Sequence, residues 1–199
     1  EHKDFESFAR RLDKEFERLD YCGVNACRNF YEVNQAGAWN KSQQTYEVTL
    51  NTFCPDADIY YAVNDSTVNT SSSLYKTPIP LDEDATVYSA VYRDGKPLGK
   101  VTRKSFAVNK ATGCDYTCNP AAGWEHLNEG FGLTDGRRGY ARDMRRWISF
   151  YQDTVQIVVE LKKPQKVKEV AFSSLWRPVN EIWPARAMSV SVSMDGQTF

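Results

Sequence analysis

Hydrolytic chemistry needs carboxylates that converge, and the densest acidic run in the chain is Asp82-Glu83-Asp84. It follows the apolar tripeptide Ile79-Pro80-Leu81 and precedes a strand-like run, a setting in which carboxylates ordinarily solvate a turn. A second acidic group, Asp13, Glu15, Glu17 and Asp20, falls on the polar side of a helical pattern and reads as solvated charge. His2 is terminal, and His126 stands beside Glu125 in a loop with no Ser or Cys nearby to complete a triad. No catalytic set emerges from these residues.

Metal chemistry has two candidates. Cys114, Cys118 and His126 offer three soft ligands and no fourth, and five cysteines (Cys22, Cys27, Cys54, Cys114, Cys118) match no paired zinc spacing. An odd number leaves at least one thiol unpaired; structural cysteine is the ordinary reading, with a local Cys114–Cys118 disulfide as the alternative in an oxidising compartment. Asp135, in Leu133-Thr134-Asp135-Gly136, stands in a stretch that resembles the start of a discoidin-like module, and that resemblance implies a calcium-donor role for it, with Asp143 a weaker candidate. Calcium takes six to eight oxygens, so a plain Asp-Gly turn is the competing reading.

The same stretch carries Arg137, Arg138, Arg142, Arg145 and Arg146, the one dense basic run. Either it meets an anionic glycan or a partner domain, or it is a solvated loop with local ion pairs. Trp124, Trp147, Trp176 and Trp183 could stack on sugar rings. Trp147 precedes an apolar run and reads as core. Trp176 and Trp183 bracket Arg177-Pro178-Val179-Asn180-Glu181-Ile182 and are the glycan-binding candidates, packing against other protein being the alternative.

Composition limits the function classes. A net charge of -1 over 199 residues gives no bulk reason to seek nucleic acid. The longest apolar runs, such as 154–161, are strand-sized and far short of the roughly 20 residues that span a bilayer. The chain begins with Glu1 and shows no signal-peptide pattern, so a fragment of a longer protein is expected, with any targeting signal upstream.

The elements that must position these residues are legible in the periodicity. Phe5, Phe8, Leu12, Phe16 and Leu19 recur at helical spacing, with Gly23 as a stop. This stripe either covers the β region or belongs against protein that precedes it. From residue 44 the period becomes two: Tyr46, Val48 and Leu50, then Ile59, Tyr61 and Val63, then two strands around an Asp94-Gly95 turn. An antiparallel sandwich of about 70 residues is expected. The run 64–73 is a polar connecting loop, whose Asn64 and Asn69 sequons read as chance occurrences. A second β region should use strands at 155–161, 166–175 and 185–196, too few to complete a sandwich.

The segment from Gln44 to Lys110, in the order DIYYAVNDSTV, SSSLYKTPIPL, TVYSAVYRDGKPLGKV and KSFAVNKATG, resembles the chitobiase-like C-terminal sandwich of β-N-acetylhexosaminidases of glycoside hydrolase family 20. The stretch after it, through Leu133, Asp135-Gly136, Arg138-Gly139, Trp147 and Phe150, resembles the start of a discoidin-like (coagulation factor 5/8 type C) jelly roll. The leading helix and LDYCGVNACRNF resemble the last helix and exit of the catalytic barrel. The segment 114–129 has no counterpart in that pattern.

The resemblance implies a mainly β chain: residues 1–38 as terminal helix and barrel exit, 39–110 as an immunoglobulin/fibronectin-like sandwich, and 111–199 as an incomplete jelly roll. It implies a non-catalytic accessory region of a periplasmic or extracellular enzyme that removes terminal N-acetylhexosamine from glycans. The partner would be the barrel upstream. In that family the substrate's own acetamido group attacks, assisted by an adjacent Asp-Glu pair at a barrel mouth, and no such pair occurs here in a strand-end context. The alternative is a stand-alone glycan-binding or adhesion module with no hydrolase.

Overall fold

The computed structural model describes residues 4–123, 132–137, 139–144 and 147–198. The chain divides into two compact units, Glu1–Asn109 and Lys110–Phe199.

The first unit opens with helix α1 (Phe5–Tyr21). Asp4 caps it, its Oδ1 accepting from the Ser7 amide at 3.0 Å. At the other end the Cys22 amide donates to the Arg18 carbonyl, and Gly23 takes φ +68°, the left-handed turn that glycine adopts without strain. Ala9 and Phe16 are buried, and Leu12 and Leu19 pack on the core. Phe5 and Phe8 remain about half exposed, at 55% and 48%. The stripe therefore covers the β region along its C-terminal part and leaves its first turn uncovered.

Strands β1 (Asn34–Asn40), β2 (Thr45–Asn51) and β5 (Ile79–Leu81) form one sheet in the order β1-β2-β5, all antiparallel. The other sheet is β4-β3-β6-β7, from β4 (Ser73–Leu74), β3 (Asp58–Val63), β6 (Ala85–Arg93) and β7 (Lys96–Pro97), with β8 (Thr102–Phe106) also on β6. Tyr46, Val48, Leu50, Ile79 and Leu81 of the first sheet share one core with Ile59, Ala85, Val87, Val91 and Phe106 of the second, the layering of a sandwich. This is the mainly β architecture expected.

Asp94 and Gly95 both adopt positive φ, 49° and 74°, so the turn between β6 and β7 has the primed geometry that matches strand twist. The second strand expected there is split. Pro97 ends β7, and the chain then passes so close to Tyr31 that a Cβ on Gly99 would lie 2.8 Å from the Tyr31 Cβ.

β6 is apolar on both faces. Val87, Ser89 and Val91 point into the core, while Tyr88, Ala90 and Tyr92 join Tyr60 and Ala62 in a smaller outer cluster. The polar loop 64–73 straps over that face. Val68 is buried against it, and the Tyr92 hydroxyl donates to the Val68 carbonyl at 2.9 Å. Asx turns at Asp65 and Asn69 hold the strap's shape.

β1 has no apolar alternation to announce it, and it crosses the expected boundary between residues 38 and 39. Its inward positions are Gln35, buried, whose Nε2 donates to Ser89 Oγ at 2.8 Å and to the Thr102 carbonyl at 3.2 Å, and Gly37. A side chain at 37 would strike the Tyr46 ring, its Cβ falling 2.3 Å from the hydroxyl.

In the second unit, β9 (Asp115–Asn119) pairs antiparallel with β10 (Gln156–Glu160), the latter within the strand expected at 155–161. The strands expected at 166–175 and 185–196 are not formed, and Phe172, Val190 and Val192 are exposed. Alternation makes a segment competent for a sheet, but a strand exists only where a neighbour accepts its ladder. The jelly roll expected for 111–199 has this one ladder among the described residues.

Candidate functional site

The acidic turn does not gather into a catalytic set. Asp82, Glu83 and Asp84 are exposed, and Asp84 Oδ1 accepts from the Val108 amide at 2.8 Å, which ties the end of the sandwich to the start of β6. Among the described residues, no three His, Cys, Asp or Glu side chains converge on a metal-sized site. His126 and Trp124 lie outside the described residues, as do Arg138, Arg145 and Arg146.

No disulfide joins any of the five cysteines. The Cys114–Cys118 disulfide weighed from the spacing is excluded by strand geometry. Four residues of extended chain span about 13 Å, whereas a disulfide needs Cα atoms within about 7 Å. Cys114 is buried with its thiol on the Lys110 carbonyl.

The polar cluster that does form lies where α1 meets the sandwich. Asp13 is not solvated, contrary to its expected place on the polar face: Oδ2 sits 2.8 Å from Arg93 Nη1, and Oδ1 accepts from the Tyr31 hydroxyl at 2.9 Å. Arg93 Nη2 also donates to Cys54 Sγ at 3.1 Å and to the Pro55 carbonyl at 2.8 Å. Nearby, Arg10 pairs with Asp56 and Arg28 with Asp20. The Arg28 guanidinium also lies 4.7 Å from the centre of the Phe16 ring.

Burial pushes the Cys54 thiol up to about 11. Burial, reinforced by Asp13, also moves the Tyr31 phenol well above its ordinary range. Burial works against charge on Arg93, yet the hydrogen bond to Asp13, with Cys54 and Tyr31 nearby, leaves its guanidinium more firmly protonated than usual. Both protonatable acids are thus held neutral beside a charged pair. Such an arrangement can clasp a helix to a sheet, with the thiol and the phenol kept protonated at neutral pH.

This cluster was legible in one respect. Asp13 lies four residues after Ala9 and three before Phe16, on the same helical face as the stripe. Its partners, 18 to 80 positions away, carry no local signal. Beside the clasp, a shallow cleft of about 310 Å³ opens along Phe5, Ala9, Arg10, Phe53 and Asp56.

In the second unit, both Asp135 oxygens accept backbone amides, Oδ2 from Gly132 at 3.0 Å and Oδ1 from Arg137 at 2.8 Å. The carboxylate thus organises its own turn. Trp147 donates from Nε1 to the Tyr140 carbonyl at 3.1 Å and lies so flat on Gly139 that a Cβ there would meet the indole at 2.4 Å. Trp176 and Trp183 are exposed on either side of a turn closed by an Arg177–Ile182 bridge.

No curated protein matches this chain. Residues 34–103, from the first residue of β1 into β8, match the family model of the chitobiase/beta-hexosaminidase C-terminal domain, and this stretch supports a hexosaminidase-type C-terminal region.

Proposed function

We propose that these residues are the non-catalytic accessory region of a β-N-acetylhexosaminidase acting on glycans outside the cytoplasm, with α1 as the element that joins the sandwich to the catalytic barrel of the same chain. The observation that carries the reading is the family match over 34–103. The clasp supports it from the physical side. Asp13 and Arg93 fix one face of α1 to the sandwich, while Phe5 and Phe8 at its first turn stay open to other protein. A helix held along its C-terminal part and open at its apolar first turn can bridge two bodies.

The chemistry is tested with the purified 199-residue chain and a chromogenic N-acetylglucosaminide. General acid catalysis contributes about 100- to 10,000-fold, and it needs carboxylates converging on one pocket. No turnover above a mock preparation is expected. Turnover that disappears in a D82A/E83A/D84A variant of unchanged circular dichroism would overturn the accessory reading.

A further inference from the structure

From Met188 to Met194 the chain alternates apolar residues with serine and carries no charge, proline or glycine. Met188, Val190, Val192 and Met194 are 53% to 85% exposed, and the backbone from 187 to 193 holds no turn, bend or ladder. The run stops at a built turn, in which Ser193 Oγ donates to Asp195 Oδ1 at 2.7 Å and accepts from the Gly196 amide at 2.9 Å. As a strand it would line up Met188, Val190 and Val192 on one face and Ser189 and Ser191 on the other. Open edges are ordinarily blunted by a charge, a proline or a bulge, and a short alternating run without charge or proline is the pattern that pairs with other strands.

The nearest neighbour along the chain cannot supply the partner. The Arg177 amide donates to the Ile182 carbonyl at 3.0 Å and the Ile182 amide returns the bond at 3.2 Å, so these two form a hydrogen-bonded antiparallel pair. The next such pair outward is Leu175 with Pro184, and proline has no amide to give. Further out the same register sets the carboxylate of Glu169 against Val190, and it places Val170 and Phe172 opposite Ser189 and Ala187. Val170 and Phe172 accordingly stay exposed.

We propose that residues 187–193 are the surface on which two copies of this chain pair, strand against strand and antiparallel. In a register centred on Val190, that residue meets its own copy, Met188 meets Val192, and Ser189 meets Ser191. Apolar thus falls on apolar and hydroxyl on hydroxyl, a match that a second copy has by identity. The flanking charges choose the direction. Arg186 precedes the run and Asp195 follows it. Antiparallel pairing brings Arg186 of each copy beside Asp195 of the other, whereas parallel pairing in register stacks like charges at both ends. A two-fold contact of this kind closes at two copies.

The experiment uses the whole 199-residue chain, with amide exchange followed by mass spectrometry over a wide range of protein concentration and sedimentation velocity on the same samples. Exchange in 187–193 should slow as concentration rises, by about tenfold where about nine chains in ten are paired, while exchange in β2 and β6 stays constant. Val190→Lys sets two ammonium groups directly opposite each other and should abolish the concentration dependence in 187–193. The position is exposed, so the substitution disturbs no core. Val190→Ile keeps the branched apolar side chain and should pair like the parent. Arg186→Glu should weaken pairing, because only the antiparallel arrangement places that carboxylate beside Asp195.

Exchange in 187–193 that is fast at every concentration would overturn the proposal. Exchange that is slow at every dilution would also overturn it, by showing that the chain covers the run itself. Association retained in full by Val190→Lys would assign the contact to another surface, and pairing unchanged in Arg186→Glu would rule out the antiparallel arrangement.

Discussion

Asp13 of α1 and Arg93 at the end of β6 are 80 positions apart in sequence and 2.8 Å apart in space, with side chains only 14% and 26% exposed. Pairing at that depth is neither a surface ion pair nor a fully desolvated one. Its value lies in what breaking it would leave behind: a covered charge without its partner. Arg93→Ala and Asp13→Ala should each lower the unfolding free energy by about 2 kcal/mol, less than the cost at a fully buried site because some water reaches both groups. Urea denaturation measures this. In the double variant the losses should not add, since each single change already destroys the same contact.

The alkaline limb of stability should carry the signature of Cys54. Its thiol titrates at an ordinary value near 9.0 when unfolded and at about 11 when folded, so between those values the folded chain holds the extra proton. The contribution is complete below pH about 9 and is lost as pH rises through about 11. Tyr31, raised in the same direction, extends the loss to higher pH. Unfolding free energy followed from pH about 8 to about 11 should therefore fall, and Cys54→Ala should reduce the slope by about one proton. A slope unchanged in that variant would show that Cys54 is not the titrating group.

Tyr92 ties the outer face of β6 to the strap through its hydroxyl on the Val68 carbonyl. Tyr92→Phe removes that bond and keeps the ring against Tyr60, whose centroid is 5.3 Å away. The expected cost is about 1 kcal/mol, the net worth of one hydrogen bond. Amide exchange in residues 66–70 should accelerate more than exchange in β2 or β6, because the strap can open without unfolding the core.

Phe5 and Phe53 meet edge to face at 5.3 Å, Phe8 stands 6.2 Å from Phe5, and all three rings remain about half exposed. Burying such a ring is worth roughly 1.5 to 3 kcal/mol, so a free surface of this kind should associate. Sedimentation velocity of the isolated chain should show concentration-dependent self-association that an F5S/F8S/F53S variant weakens. A parent chain that stays monomeric at every concentration would show that the patch is too small to drive contact by itself.

What the sequence determined is what local period and turn chemistry can encode. Tyr46, Val48 and Leu50 alternate because one side of β2 faces a core; Asp94-Gly95 closes a hairpin because both positions tolerate positive φ. The stripe of α1 likewise announced a helix with one apolar face. What tertiary structure decided is which partners those elements meet. β1 is held by a buried amide of Gln35 and by the space Gly37 leaves for Tyr46, and neither residue signals a strand. Asp13 could be read as solvated until Arg93, Tyr31 and Cys54 were brought to it. Conversely, 185–196 has the alternation of a strand and pairs with nothing among the described residues. Periodicity is a property of a few neighbouring residues, but a ladder or a buried ion pair needs a second segment. The distance between the two along the chain leaves no trace in either one.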